Sequence, residues 1–563
     1  MADINVGDIQ NKRRAFSSKA ALICTLGIIL FFYLFVFLSS ENVPFDEDHY
    51  YSISTVRNHQ KTLDGVEIFP SVWEEVSSKN RAFAVKLATL ADYTFFGKID
   101  MRHLIVWGNL MLLGLWLLLY RSFGQRDLTL FLPVTMLLFT PVVLSSNWAF
   151  ATFTYTHLLF FVFASLFFLH KKGWINTILA AVFGVLATFT HDWGVWVFPI
   201  GILLTVMPNL RKTQLGFWVL AGVLTASLYF FILPYEADFK IITNNLTQYP
   251  DRVISDFFVV LGSPFKVFLY QPLFAGIAGL SLLVGIGFLF RQQKLSFRQY
   301  PLKLSFLSFL LISILLIVLN TSSADIIIDS LSDEYQLFPI LFWIILFLII
   351  VEIFDTQYIS KWLIVGLGAL FFFARLDYYI PKMKAHDLHA EALLFKKFHY
   401  LPEYEGKVSG KTINQKLILK NAMNEGYYTP SEEIFPQAIK IRKKFKTNHP
   451  RLVVKGRVLK SNDYQLELSG WAFMKHEPDK RQHIFLALES KKHKYIIPHN
   501  AYLPFMPRPK LTKSKGYKPE SAFSFAIPKS MIDVMPGEYK VGVAVQIKGQ
   551  YSVVFMEQTA IFE

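Results

Sequence analysis

The sequence predicts a polytopic α-helical membrane protein followed by an all-β sandwich. Three observations predict it. Of the 563 residues, 53% are hydrophobic and 16% aromatic, more apolar surface than a water-soluble fold buries. Apolar runs long enough to cross a bilayer, or nearly so, recur from residue 20 to residue 375. From Arg451 the pattern changes to short alternating runs separated by Gly, Pro, Asn and Asp, which marks strands.

Residues 1–19 form a basic N-terminus carrying Lys12, Arg13, Arg14 and Lys19. The run Ala21–Leu38 is long for a signal-peptide core, and SSENVPFDED follows it instead of a small-x-small cleavage site. It is therefore expected to remain as the first span. Further runs fall at 103–120, 128–146, 150–169, 174–190, 193–208, 215–233, 271–290, 302–319, 336–354 and 361–375, which makes about eleven helices. Pro264 and Lys266 interrupt residues 257–270, which read as an interfacial or re-entrant helix. The single cysteine, Cys24, lies in the first run, so no disulfide can form within the chain.

Charge then orients the helices. With the N-terminus cytoplasmic, the inner connections hold Arg121, Arg126, Lys171, Lys172, Arg211, Lys212, Arg291, Lys294, Arg298, Lys303 and Lys361. The short outer connections Ser145–Ala149, His191–Asp192 and Asn320–Tyr335 hold no Lys or Arg. This agrees with the positive-inside rule. An odd number of spans puts everything after Leu376 outside. The expected location is the inner (cytoplasmic) membrane, multi-pass, with the N-terminus cytoplasmic and the C-terminal domain extracytoplasmic. Most of the net charge of +15 lies in that tail. It suits anionic partners such as lipid headgroups, lipid-linked phosphates or acidic polymers, and equally a merely soluble basic domain.

The domains expected are thus 20–375 in the membrane, a linker at 376–450 with scope to lie helically along the membrane, and a β-sandwich at 451–563. The strand runs of the sandwich are RLVVKGRVL, YQLELSGWAF, HIFLALE, KYIIPHN, SAFSFAIP, GEYKVGVAVQI and YSVVFMEQTAIF. Trp471, Phe473, Tyr502 and Phe505 are of a type that stacks on sugars, although Trp471 fits a core equally well.

Four polar features would meet at the outer face. The first is Asp46, Glu47, Asp48 and His49, opening an outer loop at 40–102 directly after the first span. The second comprises Arg81, Lys86, Arg102 and His103. The third is His191–Asp192 at a tight helix–helix turn, and the fourth is Asp325, Asp329, Asp333 and Glu334 beside Tyr335. A charge at the bilayer centre costs about 3 kcal/mol on insertion scales, so the first cluster belongs at or beyond the interface. A solvated loop start would account for its charges but not for the other three corners.

Asp46-Glu47-Asp48-His49-Tyr50, opening a long and partly helical first outer loop, together with RAFAVKLATLADYTFFGKIDMRHLIVWGNLMLLGL, resembles the membrane-embedded GT-C glycosyltransferases. These include the protein O-mannosyltransferases and the lipid A aminoarabinose transferases. The resemblance covers roughly residues 20–375, and GWAF in the tail is similar to accessory β-domains of some bacterial glycosyltransferases.

The resemblance implies a polyprenyl-phosphate-linked sugar donor, an envelope acceptor (glycolipid, polysaccharide or protein), surrounding membrane lipids and no nucleic acid. An acceptor hydroxyl must lose its proton as it attacks the anomeric carbon, and a carboxylate in reach supplies roughly 10²–10⁴ in rate. Asp46 is the expected base, with Glu47 or Asp48 beside it binding the sugar or acceptor. His49, Arg81, Arg102, His191, Asp192, Asp333, Glu334 and Tyr335 are expected to bind substrate, with Arg81 and Arg102 answering the phosphate charge. Related enzymes often carry a basic residue near the tyrosine corresponding to Tyr335; here there is none, so Arg81, Arg102, another outer cation or a metal must replace it. No cofactor is required, while Asp46-x-Asp48 has the spacing of a hard-cation site suited to Mg²⁺ or Mn²⁺.

Two rival functions stay open. A transporter or flippase predicts ionisable residues within the spans, and the runs between 103 and 233 hold almost none. An integral-membrane acyltransferase would use a pair such as His191–Asp192. A nonenzymatic anchor for the β-domain would need only one span.

Overall fold

The computed structural model describes residues 6–40, 42, 44, 48–63, 82–123, 128–142, 145–171, 173–206, 212–232, 239–267, 272–292, 295–321, 335–353 and 361–384 of the helical part. Of the remainder it describes 405–408, 411–414, 418, 421–422, 424–429, 439–440, 445–447, 452–461, 465–474, 484–498, 522–528, 534–547 and 550–562.

The helical part begins with α1 (Val6–Ser39), then a π turn at His49–Ser54 leading into α2 (Thr55–Leu63), α3 (Phe83–Phe96), α4 (Met101–Ser122) and α5 (Leu128–Leu138). A helix follows that starts as α6 (Ala149–Ala151), widens into a π segment at Thr152–Thr156 and continues as α7 (His157–His170). Next come α8 (Trp174–Thr190), a 3₁₀ turn at Asp192–Trp196, α9 (Val197–Val206), α10 (Lys212–Ser227), α11 (Phe239–Gln248) and α12 (Pro250–Gly262). After a 3₁₀ turn at Ser263–Val267 the bundle ends with α13 (Pro272–Arg291), α14 (Pro301–Thr321), α15 (Leu337–Ile353) and α16 (Lys361–Lys384).

Among the described residues, seven stretches are long and apolar enough to cross a membrane: Lys19–Ser39, Met101–Ser122, Ala149–His170, Lys212–Phe230, Leu273–Arg291, Pro301–Asn320 and Trp362–Ile380. The other expected spans are shorter apolar helices, Leu128–Leu138, Trp174–Thr190, Asp192–Leu204 and Leu337–Ile353. The run expected at 128–146 stops early because Thr140 precedes Pro141, and a residue before proline is held out of the helical region. Residues around Pro264 form no crossing. There α12 packs on α13 so closely that a Cβ at Gly262 would lie 1.8 Å from the Ala275 carbonyl oxygen, the small-residue contact of membrane interfaces.

Burial sorts centre from edge. The Ala149–His170 stretch is 83% buried and Pro301–Asn320 is 72% buried, against 22% for Lys19–Ser39. Phe163 stacks on Phe306 at 4.1 Å where the two central helices meet. Gly173, at φ +129°, admits the chain into α8, a conformation only glycine adopts without strain.

The structure adds two details around the expected linker. The last apolar helix does not end at 375 but runs to Lys384, with Tyr379 fully buried on it. Within the expected linker 376–450, strands β1 (Glu405–Val408) and β2 (Lys411–Asn414) make an antiparallel hairpin. β3 (Ile439–Lys440) and β4 (Lys446–Thr447) also precede residue 451, yet belong to the C-terminal sheets.

All seven predicted strand runs are strands: β5 (Leu452–Ser461), β6 (Gln465–Met474), β7 (Ile484–Glu489), β8 (Lys494–Pro498), β9 (Ala522–Pro528), β10 (Gly537–Ile547) and β11 (Gln550–Phe562). They form a six-stranded sheet in the order β3-β8-β7-β10-β11-β4 and a three-stranded sheet in the order β5-β6-β9. One apolar core joins them: Leu466 and Leu468 of the smaller sheet pack with Leu486, Leu488, Val541, Val543 and Val545 of the larger. The period-2 alternation of each run is what aims these side chains to one face.

Candidate functional site

Three chain segments converge where α1 ends and α4 begins. Asn42 holds them together. Its Nδ2 donates to the Thr429 carbonyl at 2.8 Å, and its Oδ1 accepts the Met101 N–H at 2.8 Å. Tyr428, fully buried, donates to the Asn42 carbonyl at 2.6 Å, and Ile99 N–H donates to the Tyr427 carbonyl. Burial first, then the nearby Asp100 and Asp48 charges, pushes the Tyr428 phenol well above its ordinary range, so it stays a neutral donor.

Asp100 caps α4. Its carboxylate accepts the Arg102 backbone N–H at 2.9 Å and also the Arg102 guanidinium, through Nε at 3.1 Å and Nη2 at 2.7 Å. Burial opposes ionisation of Asp100, but the hydrogen bonds and charge of Arg102 outweigh it and hold the carboxyl below 3.8. Arg102, expected on the phosphate, is thus clamped by a neighbour and lies over the Phe37 ring at 5.8 Å.

Asp92 lies opposite, with no exposed surface. It accepts the Asp100 N–H at 3.0 Å through Oδ2 and faces His103 Nδ1 at 3.1 Å through Oδ1. Burial raises its pKa above 3.8, opposed by the Asp100 N–H and by His103. Lys86 is also buried, its ammonium 5.8 Å from the Tyr51 ring centre.

Asp48 is 1% exposed and accepts the Phe150 N–H at 2.8 Å, while Tyr51 stacks on the Phe150 ring at 5.0 Å. It acts as a bracket that fixes the first loop to the start of α6, not as an open carboxylate. One turn along from Phe150, Tyr155 points into a ring cluster. Its ring centre is 5.9 Å from His191, 5.0 Å from Tyr335 and 5.9 Å from Phe338.

His191 reaches this cluster because α8 ends there in extended backbone and turns at once into the 3₁₀ segment. Gly194 permits the turn: a Cβ there would lie 2.3 Å from the Ala187 carbonyl. The His191 Nδ1 sits 3.2 Å from the Trp193 N–H and 2.7 Å from an Asp192 carboxylate oxygen. An Nδ1 without hydrogen accepts from the Trp193 N–H, whereas the Nδ1–H tautomer donates to Asp192, so the two contacts select opposite tautomers.

The Tyr335 side of the cluster leads deeper. Gln336, fully buried, donates to Ser263 Oγ at 2.9 Å, and the next residue, Pro264, offers its carbonyl to Arg375 Nη1 at 3.5 Å. Arg375 is completely buried within a membrane-crossing stretch, between the rings of Phe371 at 5.7 Å and Tyr379 at 5.1 Å. Lys266, on the same 3₁₀ turn as Pro264, lies 5.8 Å from the Tyr378 ring centre.

Of the predicted site residues, the structure brings together His191, Asp192 and Tyr335, links them to Asp48 through Phe150–Tyr155, and pairs Arg102 with Asp100. Asp46, Glu47, Arg81, Asp333 and Glu334 lie outside the described residues, as do the side chains of His49, Trp471 and Phe473. Asp46-x-Asp48 as a metal pair falls outside with Asp46; among the described residues no group of three or more His, Cys, Asp or Glu gathers as a metal site.

Sequence reasoning missed Asp92, Asp100, Tyr428 and Arg375. Asp100 carried a signal, an acidic residue directly before an apolar run, and so did Arg375, a charge inside one. Comparison with known protein families, characterised proteins and solved structures finds no match to this chain.

Proposed function

We propose that the protein transfers a sugar from a polyprenyl-phosphate-linked donor to an envelope glycolipid, polysaccharide or protein at the outer face of the cytoplasmic membrane. In this reading the seven long helices and the four shorter apolar ones together make eleven crossings of a GT-C-like domain, with the N-terminus inside and the sandwich outside. The observation that carries the reading is the buried cation Arg375 of α16, which donates to the Pro264 carbonyl of the Ser263–Val267 turn that Gln336 joins to the His191–Tyr335 ring cluster. An ionisable group is costly in a membrane and marks a ligand path. Arg375, with Lys266, supplies the positive charge that the segment around Tyr335 lacks.

The transfer balances as follows. The acceptor hydroxyl gives its proton to the Asp46 carboxylate, and its oxygen forms a bond to the anomeric carbon. The bond from that carbon to the phosphate oxygen breaks, and the lipid phosphate leaves with the electron pair toward Arg375. His191 and Asp192 bind the acceptor or relay its proton. The scheme requires no metal; Asp46 and Asp48 are the carboxylates that would hold Mg²⁺ or Mn²⁺.

A second reading, acyl transfer, rests on the 2.7 Å contact between His191 and Asp192. Purified protein in vesicles separates them. Consumption of a polyprenyl-phosphate sugar supports glycosyl transfer; consumption of an acyl donor alone supports the rival.

A further inference from the structure

The polarity of α3 is inverted. Its face toward the bundle holds Lys86, Thr89 and Asp92, all buried, with Val85. Its opposite face exposes Leu87 at 57% and Phe95 at 77%, and Phe96 in its last turn is 58% exposed. A helix bathed in water buries its apolar residues and solvates its charges, and α3 does the reverse. Thr94, also on the outward side, turns its hydroxyl back to the Leu90 carbonyl at 2.7 Å and so asks nothing of a solvent.

Its surroundings fix the height. Gly97, at φ +69°, ends α3, and Lys98 follows in an exposed position. Four residues on, Arg102 lies over Phe37, which is 40% exposed in the last turn of the Lys19–Ser39 stretch beside Leu38, 72% exposed. Phe96 lies 4.8 Å from the ring of His103, in the first turn of the Met101–Ser122 stretch. The exposed C-terminal end of α3, at Phe96, therefore adjoins the apolar ends of two helices long and apolar enough to cross a membrane.

We infer that α3 is a membrane-surface helix, with Leu87, Phe95 and Phe96 immersed at the headgroup–acyl boundary and Lys98 among the headgroups. Its partner is the bilayer itself, and the first loop is held down by lipid from one side and by Asp92 and Lys86 from the other. The inference is independent of which reaction the protein performs.

Spin-label accessibility tests it on the full chain in phosphatidylcholine–phosphatidylglycerol vesicles. In a Cys24→Ser background, nitroxides are attached at Phe95→Cys, Leu87→Cys and Lys98→Cys, with Leu22→Cys as a lipid-facing reference. Labels at 95 and 87 should collide with dissolved oxygen in preference to a water-soluble nickel chelate, as the label at 22 does, while the label at 98 should favour nickel. Nickel access at 95 and 87 equal to that at 98 would overturn the inference. So would shielding of both labels from either reagent, the result expected if a second copy covered the face. Both positions are exposed, so the variants should fold; if one does not, the other decides.

Discussion

The Tyr428 hydroxyl lies 2.6 Å from the carbonyl oxygen of Asn42, a bond that spans 386 positions of chain and closes the segment before the sandwich onto the mouth of the first helix. Removing that hydroxyl leaves a buried carbonyl short of a donor. Tyr428→Phe should lower stability by about 1–3 kcal/mol. Asn42→Ala should cost more, since it removes the bonds to Thr429 and Met101 together. Thermal unfolding of the purified protein, with limited proteolysis of the first loop, checks both.

The bracket at Asp48 is tested by the acceptor it supplies. Asp48→Asn keeps an oxygen for the Phe150 N–H, whereas Asp48→Ala leaves that buried donor unpaired and should destabilise by about 1–3 kcal/mol more. Equal stability of the two variants would remove the bracket from the account.

Asp92 and Asp100 predict opposite pH slopes. With its folded pKa raised above 3.8, Asp92 binds a proton more readily in the native state. Stability therefore falls as pH rises through the window between 3.8 and the raised value, and returns as pH falls. Asp100, held below 3.8, contributes stability above that value and loses it as pH falls through its lowered range. Relative to Asp92→Asn, the wild type should gain stability on acidification. Relative to Asp100→Asn it should lose its advantage. Unfolding midpoints measured from neutral pH downward decide both.

Two glycines give a packing prediction with an internal control. Gly262→Ala must push α12 off the Ala275 carbonyl and should cost at least about 1–3 kcal/mol. Gly285, also within α13, has nothing within 4 Å of its missing Cβ, so Gly285→Ala should be neutral or stabilising by up to about 1 kcal/mol.

What could be read in advance was what depends on local pattern. In GEYKVGVAVQI every second residue from Tyr539 to Val545 is apolar, and Tyr539, Val541, Val543 and Val545 are all fully buried. The apolar runs marked the membrane helices for the same reason, though composition alone could not say that Thr140–Pro141 would cut one short. The contacts that build the site are not local. Nothing in the stretch GYYTP announces that Tyr428 will meet Asn42. Lys86, Thr89 and Asp92 recur at helical spacing and look like a solvated face, yet they are buried while Leu87 and Phe95 face outward. His191 and Asp192 were legible as a pair because a tight turn between two apolar runs must bring its polar residues to the helix ends.

Arg375 carries the proposed chemistry, and its charge can be separated from its bulk. Arg375→Gln should lower donor turnover by at least about 10²-fold, and Arg375→Lys should retain part of it, if the guanidinium answers developing phosphate charge. The most direct measurement follows polyprenyl phosphate released from a radiolabelled polyprenyl-phosphate sugar by purified protein in vesicles, for the wild type, Asp46→Asn and Arg375→Gln. The account predicts acceptor-dependent release by the wild type and its near-complete loss in both variants while each remains folded. No release from any such donor, or undiminished release by both variants, would contradict it.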